Sequence, residues 1–181
     1  IKIIDDLSLK AGNGGTAAVE TAIDLGSKFN ELKDVVLEAT NGDIVVGSGR
    51  STNGDLSITV ANEQIVEGNI LFRNYDNGEE NNINLNGLLK ATGNVTVIND
   101  EADILVDANG TVEGSNVTLT AQQNIINYND IMATAKVGLL ANKGYIENND
   151  TIQAEQTVDM DAKLGSVYNY AGINSTAGYV D

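Results

Sequence analysis

Pairs of carboxylates are the residues of this sequence whose spacing could support catalysis. Asp159 and Asp161 alternate with Val158 and Met160 in the stretch "TVDMDA", which predicts that both carboxylates lie on the outer face of a strand. Hydrolysis of a glycosidic bond needs two such carboxylates, but the same placement is typical of residues that only solubilise a strand surface. No such pair recurs on neighbouring repeats beside an Arg or Lys, so we expect no catalytic residue.

Two oxygen-rich stretches could bind calcium, but neither has the spacing of a specific site. "NYDNGEENN" at 74–82 and "NDEAD" at 99–103 supply carboxylate and amide oxygens, which are the ligands that calcium prefers. The spacing is neither that of an EF-hand loop nor that of a glycine-rich nonapeptide repeat. We therefore expect no cofactor and no specific metal site, and weak calcium binding stays open.

Five Asn-x-Ser/Thr sequences are acceptors for glycosylation if the protein is exported. A chain rich in Asn and Thr also produces such sequences by chance, so their modification stays open. They begin at Asn94, Asn109, Asn116, Asn149 and Asn174.

Charge and missing residue types argue against several classes of function. The 181 residues include 10 basic and 26 acidic ones, which gives a formal net charge of −16. This charge repels phosphate groups, so we expect no nucleic acid as a partner. Cys and His are absent, which removes disulfides, thiolate metal sites and the commonest nucleophile–base pairs. No apolar run reaches the roughly 18 residues of a membrane helix, so we expect no membrane insertion.

The candidate residues belong to a short repeated pattern of apolar, any, apolar, any, and small or apolar residues. Each copy alternates with a period of two, which predicts a strand with one buried face. Val95-Val97 is a weaker copy, and another degenerate copy is expected near Ile70-Phe72 or Ile83-Leu85. The clear copies are Leu7-Leu9-Ala11, Val35-Leu37-Ala39, Leu56-Ile58-Val60, Val117-Leu119-Ala121, Val137-Leu139-Ala141 and Val158-Met160-Ala162.

Two further positions recur after the pattern. A second strand is predicted at Ile44, Ile65, Ile125, Ile146 and Val167, and a third apolar position recurs at Ile131, Ile152 and Ile173. A fixed spacing is expected when the chain winds once per repeat, because equivalent residues then stack roughly 4.8 Å apart. The sequence therefore predicts an all-β fold, a right-handed parallel β-helix (β-solenoid) with about 21 residues per turn.

Asparagines recur among the apolar positions. Asn127, Asn148 and Asn169 lie 21 residues apart, so the predicted winding stacks them. Stacked amides can donate to and accept from one another, which satisfies polar groups that are costly to bury. We expect these asparagines and the stacked Val, Leu, Met and Ala positions to form a structural ladder, and a binding role for the asparagines is the alternative.

Two segments depart from the repeat, and one of them, "RNYDNGEENN" at 73–82, is expected to be a projecting polar loop. Val19, Ala22, Ile23 and Phe29 have roughly helical spacing within "TAAVETAIDLGSKFNELK", which predicts a short helical excursion near 16–33. We treat 1–181 as a single β-helical segment and expect it to be an interior fragment of a longer repetitive protein.

The sequence from Val117 to Ile173 resembles the haemagglutinin-type repeats of large bacterial exoproteins. It alternates a "V-x-L-x-A" strand, as in "VTLTA", with an "I-x-N-x-x-x-I" stretch, as in "IENNDTI". The resemblance implies the shaft of a filamentous haemagglutinin-like adhesin, located outside the cell or on the bacterial surface. The proline-containing secretion motif of such proteins cannot occur here, because the chain has no proline.

The resemblance implies a rigid spacer in an adhesin. Its expected partners are adjacent repeats of the same protein, end to end, and a ligand on a host or neighbouring cell that binds through regions outside this segment. The alternatives are a carbohydrate-active β-helix enzyme, such as a lyase or a tailspike-like hydrolase, and a self-assembling surface filament subunit.

Overall fold

The structure, a computed structural model, describes residues 69–74 and 82–181, together with the backbone of short strands before residue 69. All the elements that it describes are strands. The first nine are β1 (Lys2–Ile3), β2 (Leu7–Lys10), β3 (Ala18–Val19), β4 (Asp34–Val36), β5 (Glu38–Ala39), β6 (Ile44–Val46), β7 (Leu56–Val60), β8 (Ile65–Val66) and β9 (Ile70–Asn74). The others are β10 (Ile83–Ala91), β11 (Val95–Asn99), β12 (Ile104–Val106), β13 (Thr111–Ala121), β14 (Ile125–Asn127), β15 (Ile131–Ala141), β16 (Ile146–Asn148), β17 (Ile152–Ala154), β18 (Thr157–Ala162), β19 (Val167–Asn169), β20 (Ile173–Ser175) and β21 (Tyr179–Val180).

The strands stack in parallel to form three faces of a coil. Face 1 contains β2, β6, β9, β11, the second halves of β13 and β15, β18 and β21. Face 2 contains β4, β7, the first half of β10, β12, β14, β16 and β19. Face 3 contains β8, the second half of β10, the first halves of β13 and β15, β17 and β20. One passage through the three faces is one rung, so the predicted parallel β-helix is confirmed.

Register on face 2 follows the predicted period from β10 onward. On face 2, Ile104 pairs with Ile125, Ile125 with Ile146, and Ile146 with Val167, each 21 residues further on. Because strands in a sheet lie roughly 4.8 Å apart, equivalent side chains form columns along the axis. The inward columns make one continuous core, which contains Phe72 near one end and Val158 near the other.

The structure corrects the predicted alignment of the early copies. Val35 pairs with Ile58, and Leu56 pairs with Ile83, so the strands that contain Val35 and Leu56 lie on face 2 rather than with Val117 on face 1. Ala39 of the first copy lies in β5, which pairs with β1. Ile44, predicted as a second strand, lies on face 1 opposite Ile70. Every face buries alternate residues, so an alternating pattern identifies a strand without identifying its face. Of the two predicted places for the degenerate copy, Ile70-Phe72 occupies it, since Ile70 pairs with Val95 on face 1.

Two strand pairings near the N-terminus depart from the parallel stack. β3 pairs antiparallel with β2, and β1 pairs with β5 in a separate two-stranded sheet. Within the predicted helical excursion at 16–33, the structure describes only Ala18–Val19, and these two residues are a strand. The other residues of that prediction lie outside the described residues.

Candidate functional site

The predicted asparagines form a hydrogen-bonded column at the end of the face 2 strands. Asn127 Nδ2 donates to Asn148 Oδ1 at 2.7 Å, and Asn148 Nδ2 donates to Asn169 Oδ1 at 2.8 Å. The Asn127 and Asn148 side chains are buried, whereas Asn169 is exposed and donates to the Ala171 carbonyl at 2.8 Å. Each buried amide is therefore satisfied by the next rung, as buried polar groups must be.

The other predicted ladder residues lie together on face 1, and all point inward. Val117, Val137 and Val158 are paired in register, as are the next two positions of the pattern. These side chains are buried, except that Met160 and Ala162 are only partly buried. These two columns are Leu119, Leu139 and Met160, then Ala121, Ala141 and Ala162. Buried aliphatic side chains of this kind stabilise the coil and offer no chemistry to a ligand.

A second polar column, which the sequence analysis missed, lies before the face 2 strands. Asn82 Oδ1 accepts the N–H of Asp103 at 3.0 Å, and Asp103 Oδ1 accepts the N–H of Asn124 at 2.8 Å. Asn124 Oδ1 then accepts the N–H of Tyr145 at 2.9 Å. An amide or carboxylate at 21-residue spacing directly before Ile83, Ile104 and Ile125 was the signal that could have identified this column.

The two carboxylates considered for catalysis lie on the outer surface of β18. Asp159 and Asp161 are both exposed on β18, as predicted for outward residues. Asp100 forms an ion pair with Arg73, with 2.8 Å between Oδ2 and the guanidinium. Asp181 lies opposite Asp159 on the next rung, since its N–H donates to the Val158 carbonyl at 2.9 Å and its carbonyl accepts the N–H of Met160 at 3.0 Å.

A groove of about 420 Å³ follows the bend between face 3 and face 1. Lys90 and Glu113 form an ion pair across adjacent rungs at its edge. Glu155 lies in the rung two turns beyond Glu113, so their backbones are separated by roughly 10 Å along the axis. Small or hydroxyl-bearing residues line much of the rest: Ala91, Thr92, Gly114, Ser115, Ala133 and Thr134.

Tyrosines collect on the outside of face 2. Tyr168 lies at the outward position of β19, Tyr145 directly precedes β16, and Tyr128 and Tyr170 directly follow β14 and β19. We call these four residues the tyrosine face, and they are four of the six tyrosines of the chain. Tyr128, Tyr168 and Tyr170 are 45%, 46% and 70% exposed. The rings of Tyr145 and Tyr168 meet edge to face, with centroids 5.9 Å apart and planes at 70°.

The electrostatic potential at the tyrosine face is negative. Partial burial raises the pKa of Tyr145 above its usual value of 10.0, and the carboxylates of Glu147 and Asp103 raise it further. Both effects disfavour the phenolate, because its charge is less hydrated and is repelled by the two carboxylates. The field of Glu147 and Asp103 therefore reaches the Tyr145 ring.

The candidate glycosylation residues differ in how their side-chain amides are used. Asn94, Asn109 and Asn174 are exposed. Asn116 Nδ2 donates to Asn94 Oδ1 at 2.8 Å, and Asn149 Nδ2 donates to Glu147 Oε1 at 2.9 Å. A glycan on Asn116 or Asn149 would replace one of the two hydrogens on its Nδ2.

Neither a cluster of metal ligands nor a membrane-spanning helix occurs among the described residues. There, no three Asp or Glu side chains come together as ligands for a metal ion. Residues 75–81, within the oxygen-rich stretch considered for calcium, lie outside the described residues. The described part of the chain contains no helix with the length and apolar character needed to cross a bilayer.

Comparison with known proteins gives no match to a family model, a curated protein or a solved structure. The resemblance to haemagglutinin-type repeats therefore stays a prediction that rests on the sequence pattern.

Proposed function

We propose that this chain is a rigid spacer in the shaft of a bacterial surface adhesin, outside the cell, and that it acts mechanically rather than catalytically. The observation that carries the proposal is the unbroken stacking in register on face 2 from β10 to β19. In such a stack each rung contacts only its neighbours, so length can grow by whole rungs without changing the core. The shaft holds a binding region, located elsewhere in the protein, away from the cell.

Rigidity in this proposal comes from two kinds of column. The inward aliphatic residues form a core that continues from rung to rung, and the buried asparagines link successive rungs by amide hydrogen bonds of 2.7 and 2.8 Å. Bending the shaft would open both columns on one side, which is unfavourable because it exposes apolar surface and breaks buried hydrogen bonds. The net charge of −16 limits lateral association between shafts.

Removal of one whole rung from the full-length protein tests the spacer role. Deletion of residues 125–145 joins Asn124 to Ile146 and removes 21 residues, so the remaining columns keep their register. We expect cooperative unfolding and cell attachment to persist, with a shaft shorter by roughly 4.8 Å. The matched control deletes residues 125–134, which breaks the register and should abolish both.

Loss of attachment after the whole-rung deletion, with folding intact, would show that this segment itself binds and would overturn the spacer role. Location is tested separately by labelling intact and lysed cells with an antibody against this chain. Labelling of lysed cells alone would contradict a position on the cell surface.

A carbohydrate-active enzyme is the second candidate, and the groove between face 3 and face 1 is the observation in its favour. Glu113, Glu155 and Lys90 line it on three rungs. Incubation with a panel of polysaccharides and measurement of released reducing ends tests this function. Cleavage that is lost in both Glu113→Gln and Glu155→Gln would establish the enzyme and displace the spacer proposal.

A self-assembling filament subunit is the third candidate, in which the coils of separate chains would stack end to end. Val167 is 40% exposed and pairs with β16 alone, although Ile146 at the same place one rung earlier is buried. Both this role and the spacer role expect coils to stack end to end through strand edges of this kind. Sedimentation velocity should show association that Val167→Lys prevents and Asp159→Lys, on an outward position, does not. A chain that stays monomeric at every concentration would contradict end-to-end association.

A further inference from the structure

Face 2 presents a surface that the stacking of the coil does not require. Its inward residues form the core and the asparagine column, while its outward residues carry the tyrosine face. The central outward column contains Leu105, Ile126, Glu147 and Tyr168, which follow one another in register. Tyr145 lies on one side of this column, and Tyr128 and Tyr170 lie on the other.

Several features of this surface are typical of an interface. A strand of three residues with one flanking residue on each side spans roughly 13 Å, so the tyrosines lie on both edges of a narrow, flat strip. Tyrosine supplies large contact area with few rotatable bonds and is enriched among the residues that dominate binding energies. Partly exposed Leu105 and Ile126 extend the same strip along the axis.

Charge on the strip has one sign. Asp103, Asp107 and Glu147 lie on it or at its edges, and the residues 103–107, 124–128, 145–149 and 166–170 include no Lys or Arg. The groove at the bend of faces 3 and 1 differs, because there Lys90 neutralises Glu113. The carboxylates beside the tyrosine face are therefore not neutralised by a basic residue within these ranges. The negative charges of Glu147 and Asp103 act on the ring of Tyr145.

We propose that the tyrosine face docks a positively charged segment of another polypeptide, rich in Arg or Lys. The aromatic rings attract cations through their electron-rich faces, and the neighbouring carboxylates accept hydrogen bonds from guanidinium or ammonium groups. The net charge of −16 draws such a segment towards the shaft. A second copy of this chain is a poorer occupant, because its own strip carries the same negative charge.

Binding of a defined peptide to the purified chain tests this docking surface. The probe is a ten-residue peptide of alternating Arg and Ser, compared with a Gly-Ser peptide of equal length and with a neutral β-linked glucose hexamer. Calorimetry gives the affinity, and the ring resonances of the tyrosines in NMR locate the site. We expect the Arg peptide alone to bind and to shift Tyr128, Tyr168 and Tyr170.

Two sets of variants separate this surface from general attraction to an acidic protein. The combined Tyr128→Ser and Tyr170→Ser variant should weaken binding about tenfold, because two cation–ring contacts are lost. Glu147→Gln should also weaken it. Tyr179→Ser is the matched control, since Tyr179 is 63% exposed but lies on face 1, and its affinity should stay within about twofold of the parent chain. Circular dichroism confirms that each variant is folded.

Three results would overturn the proposal. One is equal weakening by Tyr179→Ser and by the tyrosine-face variants, which would mean binding through total charge. Another is preferential binding of the glucose hexamer, which would make the strip a surface for stacking sugars. The third is no binding of the Arg peptide at low salt.

Discussion

An inner rung and the last rung of the coil share one sequence pattern but differ in burial. Ile146 and Asn148 of β16 are fully buried, whereas Val167 is 40% exposed and Asn169 is exposed one rung later. The inner rung is covered on both edges, and the last is covered on one edge among the described residues. The environment of a residue in this fold is therefore determined by the rungs above and below it, as expected for a stack with nearest-neighbour contacts.

Truncation of an isoleucine on an inner rung, compared with its register partner on the last rung, should give the largest difference in the free energy of unfolding. Ile152 and Ile173 are register partners on face 3, with Ile152 fully buried and Ile173 only partly so. We expect Ile152→Ala to lower the free energy of unfolding by about 2–5 kcal/mol, since it leaves a cavity in a packed core. Ile173→Ala should cost roughly half of this or less, because water already reaches the site. Urea unfolding measures both, and equal losses would contradict the comparison.

Glycine at the bend between face 1 and face 2 tests how closely rungs approach. A Cβ on Gly144 would lie 2.7 Å from the Gln123 carbonyl group of the preceding rung, whereas a Cβ on Gly138 meets nothing within 4 Å. Gly144→Ala should therefore destabilise the protein by about 1–3 kcal/mol through overpacking. Gly138→Ala, the matched control, should leave the unfolding midpoint almost unchanged. A neutral Gly144→Ala would show that the rungs can separate without cost.

The asparagine column provides a further comparison between the inner rung and the last rung. Asn148→Ala removes the acceptor of the buried Asn127 amide, so we expect a loss of about 1–3 kcal/mol from the unsatisfied group. Asn169→Ala should cost less, because water can replace an exposed partner of Asn148. Thermal unfolding of the two variants provides the measurement. The reverse order would mean that burial does not determine the strength of the column.

Titration of Tyr145 should have the smallest effect on the stability of the folded chain. Its pKa is raised in the folded chain by burial and then by Glu147 and Asp103. The resulting stability is fully present below the ordinary tyrosine pKa of about 10 and is lost as the pH rises through the folded-state pKa. Ultraviolet titration should show a lower pKa for Tyr145 in Glu147→Gln than in the parent chain. Alkaline unfolding of Tyr145→Phe should lack this contribution, and an unchanged pH profile would contradict it.

Much of the fold was predictable from residues 117–173, where the spacing is regular. The inward Val, Leu and Ala positions and the three stacked asparagines follow directly from the 21-residue period. The early copies at Val35 and Leu56 were assigned to the wrong face, because insertions of uneven length separate them from later rungs. An alternating pattern alone contains no information about which face a strand joins.

The tyrosine face was not predictable in the same way. Tyrosine does not recur on successive turns, since Tyr128, Asn149 and Tyr170 occupy one column and Asp103, Asn124 and Tyr145 occupy another. Tyr145 and Tyr168 come together although they are 23 residues apart and belong to different columns. A search for equivalent residues at one period therefore does not identify them.

The sequence by itself determined the period of the coil and the identity of its inward columns. Stacked rungs place equivalent residues in equivalent surroundings, so burial selects the same residue types again and again. Only the tertiary structure decided which strands share a face and which outward side chains become neighbours. Those outcomes depend on register between strands distant in sequence, and a single strand of the chain does not contain that register.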